Sequence, residues 1–351
     1  MNFSLPLHRA ALMAAVCLLA ACGKQEATTA AAPEAVKAAP EIVVYSTRNE
    51  QLIKPVFDTY TAQTGVKINF VTDKEGPLLE RLKNEGANTA ADILLTVDVG
   101  TLWQATQMHL LQPVESAALQ KNVAEHLRDP GKQWFGLSAR ARSIFYNPTL
   151  VKPEELSTYQ ALADEKWAGK LCLRTSKKVY NQSLVAMLIA ANGEEAAEKM
   201  VRGWVDNLAV PPFPDDTKML EAIAAGQCAV GIANTYYFGR LQRDQPDIAV
   251  RVFWPNQGEG QDGVHINIAG GGVTAHAKHR DEAVKLLEWM SSPQAQNLFA
   301  DSNMEYPVNW SVKPAPAVSA WGDFRPSAIN ISKAGELQAQ AVQLMDRAGY
   351  Q

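Results

Sequence analysis

Four cysteines in 351 residues, Cys17, Cys22, Cys172 and Cys228, are too few and too scattered for a zinc cluster or a small disulfide scaffold. Basic charge is not in excess either. The 33 Lys plus Arg stand against 37 Asp plus Glu, a formal charge of −4, which excludes a general nucleic-acid-binding surface. The single continuous apolar run, over 10–22, falls short of the roughly 20 residues that a helix needs to cross a bilayer, so a polytopic membrane protein is excluded. Enzyme signatures are missing: there is no Gly-x-Ser-x-Gly elbow, no phosphate loop ending in Gly-Lys-Ser/Thr and no His-Glu-x-x-His helix. The six histidines, His8, His109, His126, His265, His276 and His279, have no metal-ligand spacing. Gly270-Gly271-Gly272 lacks the Lys and helix of an anion loop and reads as a tight turn or a backbone close to a hinge. Asp215-Asp216-Thr217 precedes an apolar helical pattern and reads as its cap, not as paired catalytic acids.

What is present is ordinary globular material, 47% hydrophobic and 20% charged, behind an N-terminus that sets the compartment. Arg9 precedes the apolar run, and Leu19-Ala20-Ala21-Cys22 places small residues at the cut, so 1–21 reads as a signal peptide. The same four residues resemble the lipobox of bacterial lipoproteins, with Cys22 lipidated; an ordinary soluble signal peptide is the alternative. The stretch 22–40 is rich in Ala, Thr and Pro without an aromatic, and is expected to be a flexible tether from a membrane to a soluble body. Export favours a Cys172–Cys228 disulfide over two buried free thiols. Closing that loop would stabilise the fold by roughly 4 kcal/mol.

From residue 41 onward, short β-branched runs over 42–45, 66–71 and 92–96 alternate with helical patterns over 51–63 and 77–84, which is α/β wiring with mostly parallel strands. Further strands are expected over 170–174, 229–233 and 249–253, and helices over 182–191, 195–207, 217–225, 281–290, 293–300 and 334–347. About 310 residues exceed one core, and no Gly/Ser or Pro-rich break divides them. Two lobes joined by extended crossings, with 137–147 and 264–274 as candidates, form a clamshell. The C-terminal helices are expected on its outer faces.

One segment stands apart: Val230-Gly231-Ile232-Ala233-Asn234-Thr235-Tyr236-Tyr237-Phe238-Gly239-Arg240, where a strand ends and a helix begins. Asn234 or Thr235 is a natural N-cap, which puts Tyr236 and Tyr237 in the first helical turn, at its positive end. Adjacent side chains diverge by about 100° on a helix and 180° on a strand, so two rings converge on one ion only at such a junction. A trivalent cation there can hold phenolates that otherwise ionise near pH 10. Packing of the two rings at the lobe interface is the alternative.

These residues, with Val44-Tyr45-Ser46-Thr47-Arg48, Ala91-Asp92-Ile93-Leu94-Leu95-Thr96-Val97-Asp98, Arg140-Ala141-Arg142 before Phe145-Tyr146-Asn147-Pro148, Tyr180-Asn181 and Ala225-Gly226-Gln227-Cys228, resemble the ferric-iron-binding proteins of bacterial iron ABC transporters. The resemblance covers most of 41–351. It implies an α/β two-lobe type II periplasmic binding fold of the transferrin-like kind, each lobe a mixed sheet flanked by helices. Lobe 1 is expected over 41–138 plus 264–312, and lobe 2 over 139–263 plus 313–351.

The same resemblance implies that Tyr236, Tyr237 and Tyr180 bind Fe3+, with Fe2+ as the alternative, and that Arg140 and Arg240 balance the charge beside Arg48 and Asn49. Asn49 and Glu50 stand where that family usually places His or Tyr. Val97 replaces its Glu. Glu50 is therefore the expected carboxylate ligand. Three phenolates and one carboxylate give −4 against +3, a remainder that a nearby Arg can neutralise. The implied role is iron capture by a monomer and delivery to an inner-membrane ABC permease, with no catalytic residue and no nucleic-acid partner. Two other functions remain open at this point: capture of an organic cation such as a polyamine, with aromatic rings stacked on it, and a hydrolase or transferase using Tyr236 with Arg240.

Overall fold

The computed structural model describes residues 40–351, with the side chains of 300–302 excepted. The expected signal peptide, tether and lipidated Cys22 lie before Pro40, outside the described residues. Eight strands form one curled sheet: β1 (Glu41–Ser46), β2 (Lys67–Thr72), β3 (Ile93–Thr96), β4 (Phe135–Tyr146), β5 (Leu171–Cys172), β6 (Val230–Asn234), β7 (Arg251–Phe253) and β8 (Ile266–Val273). Their hydrogen-bonded order is β2-β1-β3-β8-β4-β6-β5, with β7 also on β4. β1 is parallel to β2 and β3, and β5 to β6, but every pair made by β4 or β8 is antiparallel. The sheet is thus less parallel than the alternating wiring predicts, because the strands at its middle run back against their neighbours.

Two apolar cores flank this middle. Ile42, Val44, Leu94, Trp134, Ile268 and Leu286 belong to the first; Ile144, Leu184, Trp204, Ile232 and Leu344 belong to the second, with Phe145, Met219, Leu220 and Phe238 clustered beside it. β4 passes between the cores. Phe135 to Ala141 pair with β8, and Arg142 to Tyr146 pair with β6. All twelve residues of β4 are buried, including the alternating polar Ser138, Arg140 and Arg142. The apolar residues Ile266, Ile268 and Val273 of β8 pack in the first core.

The glycine triplet is neither a turn nor an anion loop. It lies inside β8, where a Cβ on Gly270 would stand 2.7 Å from the Phe135 carbonyl, and Cβ atoms on Gly271 and Gly272 would overlap Leu95 and the Gln133 carbonyl. Close backbone approach between the end of β8, the start of β4 and β3 is what the three glycines permit. Local rules hold well for the helix Glu50–Thr64: Asn49 caps it, Gly65 ends it at φ 73°, and Ile53, Val56, Phe57 and Tyr60 face the core. Leu52, beside them on the helix, lines a cleft instead. The helix expected over 334–347 breaks at Leu337 into Ser332–Glu336 and Gln338–Arg347. The first piece contacts the helices Val99–Gln107 and Val179–Asn192, so the C-terminal end bridges the cores instead of covering an outer face. Cys172 and Cys228 form a disulfide, Cα to Cα 5.8 Å, tying β5 to the turn before β6.

Candidate metal-binding cleft

β6 is buried along its whole length and delivers the chain to the helix Thr235–Asp244, with Asn234 in the N-cap position. Its side chain does not cap. It accepts from Arg142 Nη1 (3.2 Å) and donates to the Tyr236 hydroxyl (3.4 Å). The change from strand to helix brings the adjacent Tyr236 and Tyr237 rings together, centroids 4.4 Å apart at 35°. Arg240, one turn on, lies 5.1 Å from the centre of the Tyr236 ring.

Tyr180 comes from a separate helix, Val179–Asn192, and is buried. Around its ring stand Lys178 at 4.8 Å and Arg140 and Arg174 at 5.6 Å. Arg174 Nη1 also donates to the Tyr237 hydroxyl, 3.4 Å. The three phenols therefore sit within a ring of four cations.

Burial holds the Tyr236 hydroxyl well above its ordinary value near 10, the neighbouring Tyr180 and Tyr237 add to the rise, and Arg140 opposes it. Burial raises Tyr180 in the same way, again against Arg140. Both phenols are therefore protonated at neutral pH.

Beneath the phenols lies a buried ionic hub. Asp216 is 0% exposed and accepts from Arg142 Nη1 at 3.0 Å and Nη2 at 3.3 Å. Arg174 stands 3.7 Å from it, and the Asn234 backbone N donates to it at 3.2 Å. One carboxylate thereby ties the tyrosine junction to the strand that precedes Tyr180. Asp215 alone caps the helix Asp216–Ala224, through Lys218 N at 2.9 Å. The expectation that both aspartates are cap residues holds for the first and not the second.

The three phenols, with Arg140, Lys178 and Arg240, line a cleft of about 480 Å3 that also presents Thr47, Arg48, Asn49, Val97, Lys74 and Glu305. Of the residues expected at the site, Tyr180, Tyr236, Tyr237, Arg140, Arg240, Arg48 and Asn49 meet there. Glu50 does not line the cleft: it is exposed in the first turn of its helix, where a carboxylate suits the positive end. Arg174, Lys178, Asp216 and Glu305 were not foreseen. Arg174 and Lys178 flank Tyr180 closely enough in sequence to have been found once Tyr180 was chosen; Glu305 had no local signal.

Among the described residues no group of three or more His, Cys, Asp or Glu is placed to hold a metal. A larger open depression, about 920 Å3, lies along the helix Glu194–Asp206. There Arg202 pairs with Glu198 at 2.6 Å, and no phenol lines it.

The sequence matches the family described as bacterial extracellular solute-binding protein over residues 56–326. The chain belongs to that family. Iron uptake protein A1 of Synechocystis is 44% identical over 340 residues, 95% of this chain and 93% of that one. Among solved structures, the FutA protein of Trichodesmium, in complex with iron and citrate, superposes with a TM-score of 0.85 at 43% identity, covering 89% of this chain and all of that one. The ferric iron-binding protein A of Mannheimia haemolytica, in an open conformation, superposes at 0.83 with 34% identity, over 89% and 99% of the two chains. The fold is accordingly the two-lobe type II periplasmic binding architecture that the sequence predicts, and the cleft lined by Arg140 lies close to where β4 passes from one core to the other.

Proposed function

We propose that this solute-binding protein captures ferric iron outside the cytoplasm, through phenolates of Tyr180, Tyr236 and Tyr237, and hands it to an ABC permease of the inner membrane. The observation that carries the reading is the convergence of three phenols from two elements inside one ring of cations. Three phenolates cancel the charge of Fe3+, and a hard trivalent ion is the cation most able to expel protons from buried phenols. A polyamine would enter a cleft already lined by Arg48, Lys74, Arg140, Lys178 and Arg240, where like charges repel it. The names of the relatives, iron uptake and ferric iron-binding proteins, support the same ligand.

Once the metal and phenolates balance, the surrounding guanidiniums are in surplus. Arg140 Nε and Nη1 are buried without a partner among the described residues. A carboxylate-bearing anion beside the metal suits them, and the Trichodesmium relative holds citrate with its iron. The role is binding and release, not catalysis. The chain is read as a monomer anchored through lipidated Cys22. Lobe 1 is read as 41–138 plus 264 onward and lobe 2 as 139–263 plus the C-terminal end. Ala315, Val318, Ile331 and Ala334 pack in the first core and Ala341, Leu344, Met345, Ala348 and Tyr350 in the second, which supports reading the last boundary near residue 336 and not at 312/313.

The test is spectroscopic. Loaded with Fe3+, the purified chain is expected to show a visible phenolate-to-iron band that a chelator removes. Replacing Tyr236 and Tyr237 together by Phe abolishes the band and the binding while the iron-free protein still folds. Tight binding retained by that double variant refutes the reading.

A further inference from the structure

The cleft presents a carboxylate that the ligand set above leaves unused. Glu305 is 6% exposed and follows the helix Pro293–Asn303, whose end is turned by Met304 at φ 55°, a conformation rare for a residue with a side chain. Met304 lies directly against the tyrosine helix: a Cβ on Gly239 would stand 2.9 Å from the Met304 Cβ. The segment that bears Glu305 thus abuts, from the first core, the helix that bears Tyr236, Tyr237 and Arg240. Its next residue is stitched to β4, Tyr306 N to the Ala139 carbonyl at 2.7 Å and Ala139 N to the Tyr306 carbonyl at 2.8 Å, immediately beside Arg140.

Arg48 holds this carboxylate. Its own backbone N donates to Ser46 Oγ at 3.0 Å, its Nη1 to Ser138 Oγ at 3.4 Å, and its guanidinium lies 5.5 Å from the centre of the Phe299 ring. From that fixed position Nη2 pairs with Glu305 Oε2. The other oxygen, Oε1, accepts no hydrogen bond from the described residues and is not sealed inside the protein. A buried ion pair by itself adds little over apolar packing. Here one oxygen is clamped and the other is left for the cleft.

We propose that Glu305 is a fourth iron ligand, the carboxylate that closes the coordination sphere from the first core, with Arg48 as the residue that orients it. The proposal rests on the tyrosinate reading above. Hard anionic oxygens suit such an ion, and the extra negative charge that a carboxylate adds to three phenolates is the charge Arg48 already offsets.

The experiment compares Glu305→Gln, Arg48→Gln and Glu50→Gln in the full chain, reading Fe3+ affinity by chelator competition, the visible band, the electron spin resonance of bound Fe3+ and the melting of the iron-free protein. Glutamine keeps the volume of Glu305 and removes its charge. Loss of a group that merely supports a metal ligand weakens binding by about 10- to 100-fold, so Glu305→Gln is expected to exceed that, with a shifted band and an altered resonance. Arg48→Gln gives a smaller loss and keeps the resonance. If Glu305→Gln does not fold, Glu305→Asp retains the charge on a shorter arm and is expected to change the resonance with melting preserved.

An unaltered band and resonance in the Glu305 variants overturns the assignment while leaving the tyrosinates standing. So does a loss that follows Glu50→Gln instead. A wild-type chain with no phenolate band removes the underlying reading itself.

Discussion

Asp215 and Asp216 are chemically identical neighbours with opposite surroundings, and replacing each by Asn separates them. Asp216 faces Arg142 through two contacts of 3.0 and 3.3 Å, with Arg174 at 3.7 Å, and is 0% exposed. Asparagine keeps the shape and removes the charge, leaving two buried guanidiniums uncompensated, which costs about 3–5 kcal/mol. Asp215 is a half-buried cap that accepts one backbone bond of 2.9 Å. Asparagine caps about as well as aspartate, and even alanine there costs only about 0.5–2 kcal/mol. Urea denaturation of the iron-free chain at neutral pH therefore should show Asp216→Asn displaced to a markedly lower midpoint and Asp215→Asn close to wild type. Because Arg174 also reaches the Tyr237 hydroxyl and Asn234 begins the tyrosine helix, the Asp216 variant should lose iron affinity under conditions where it remains folded. Equal midpoints for the two variants would falsify the claim that one carboxylate organises the layer beneath the phenols.

Other consequences are measurable in the same preparations. Reducing the Cys172–Cys228 bond, or replacing both residues by Ser, should lower stability by roughly 4 kcal/mol, seen as a denaturation midpoint that depends on reductant; an unchanged midpoint refutes it. His265 is buried beside the crossing, and burial, with Arg142 and Arg140 adding to it, lowers its value to about 3. The unfolded chain then binds a proton from about pH 6.5 downward that the folded chain refuses until pH 3. This stabilisation is complete above pH 6.5 and is lost as the pH falls, at up to roughly 1.4 kcal/mol per unit. A His265→Gln variant should show a shallower decline between those values, and parallel curves for the two proteins rule the contribution out.

Periodicity places the helix Glu50–Thr64 and its glycine cap, and the short β-branched runs place β1 to β3, because those signals are carried by residues that lie close together along the chain. The junction at Asn234 was legible for the same reason: a strand that must end and a helix that must begin are local events, and they alone turn adjacent tyrosines toward each other. The glycines of β8 were misread because their cause is a neighbour, the Gln133 carbonyl and Leu95, that sequence distance conceals.

The amino-acid sequence by itself determined the chemistry on offer: an α/β chain, adjacent tyrosines where a strand gives way to a helix, arginines near them and no enzyme signature. Tertiary structure decided which charges meet. Glu50 and Glu305 are equally plain carboxylates in the sequence, yet one faces solvent at a helix start while the other is carried into the cleft by the Met304 turn and held by Arg48. Electrostatic partnership depends on distance through space and on the exclusion of water, and neither quantity can be read from separation along a chain.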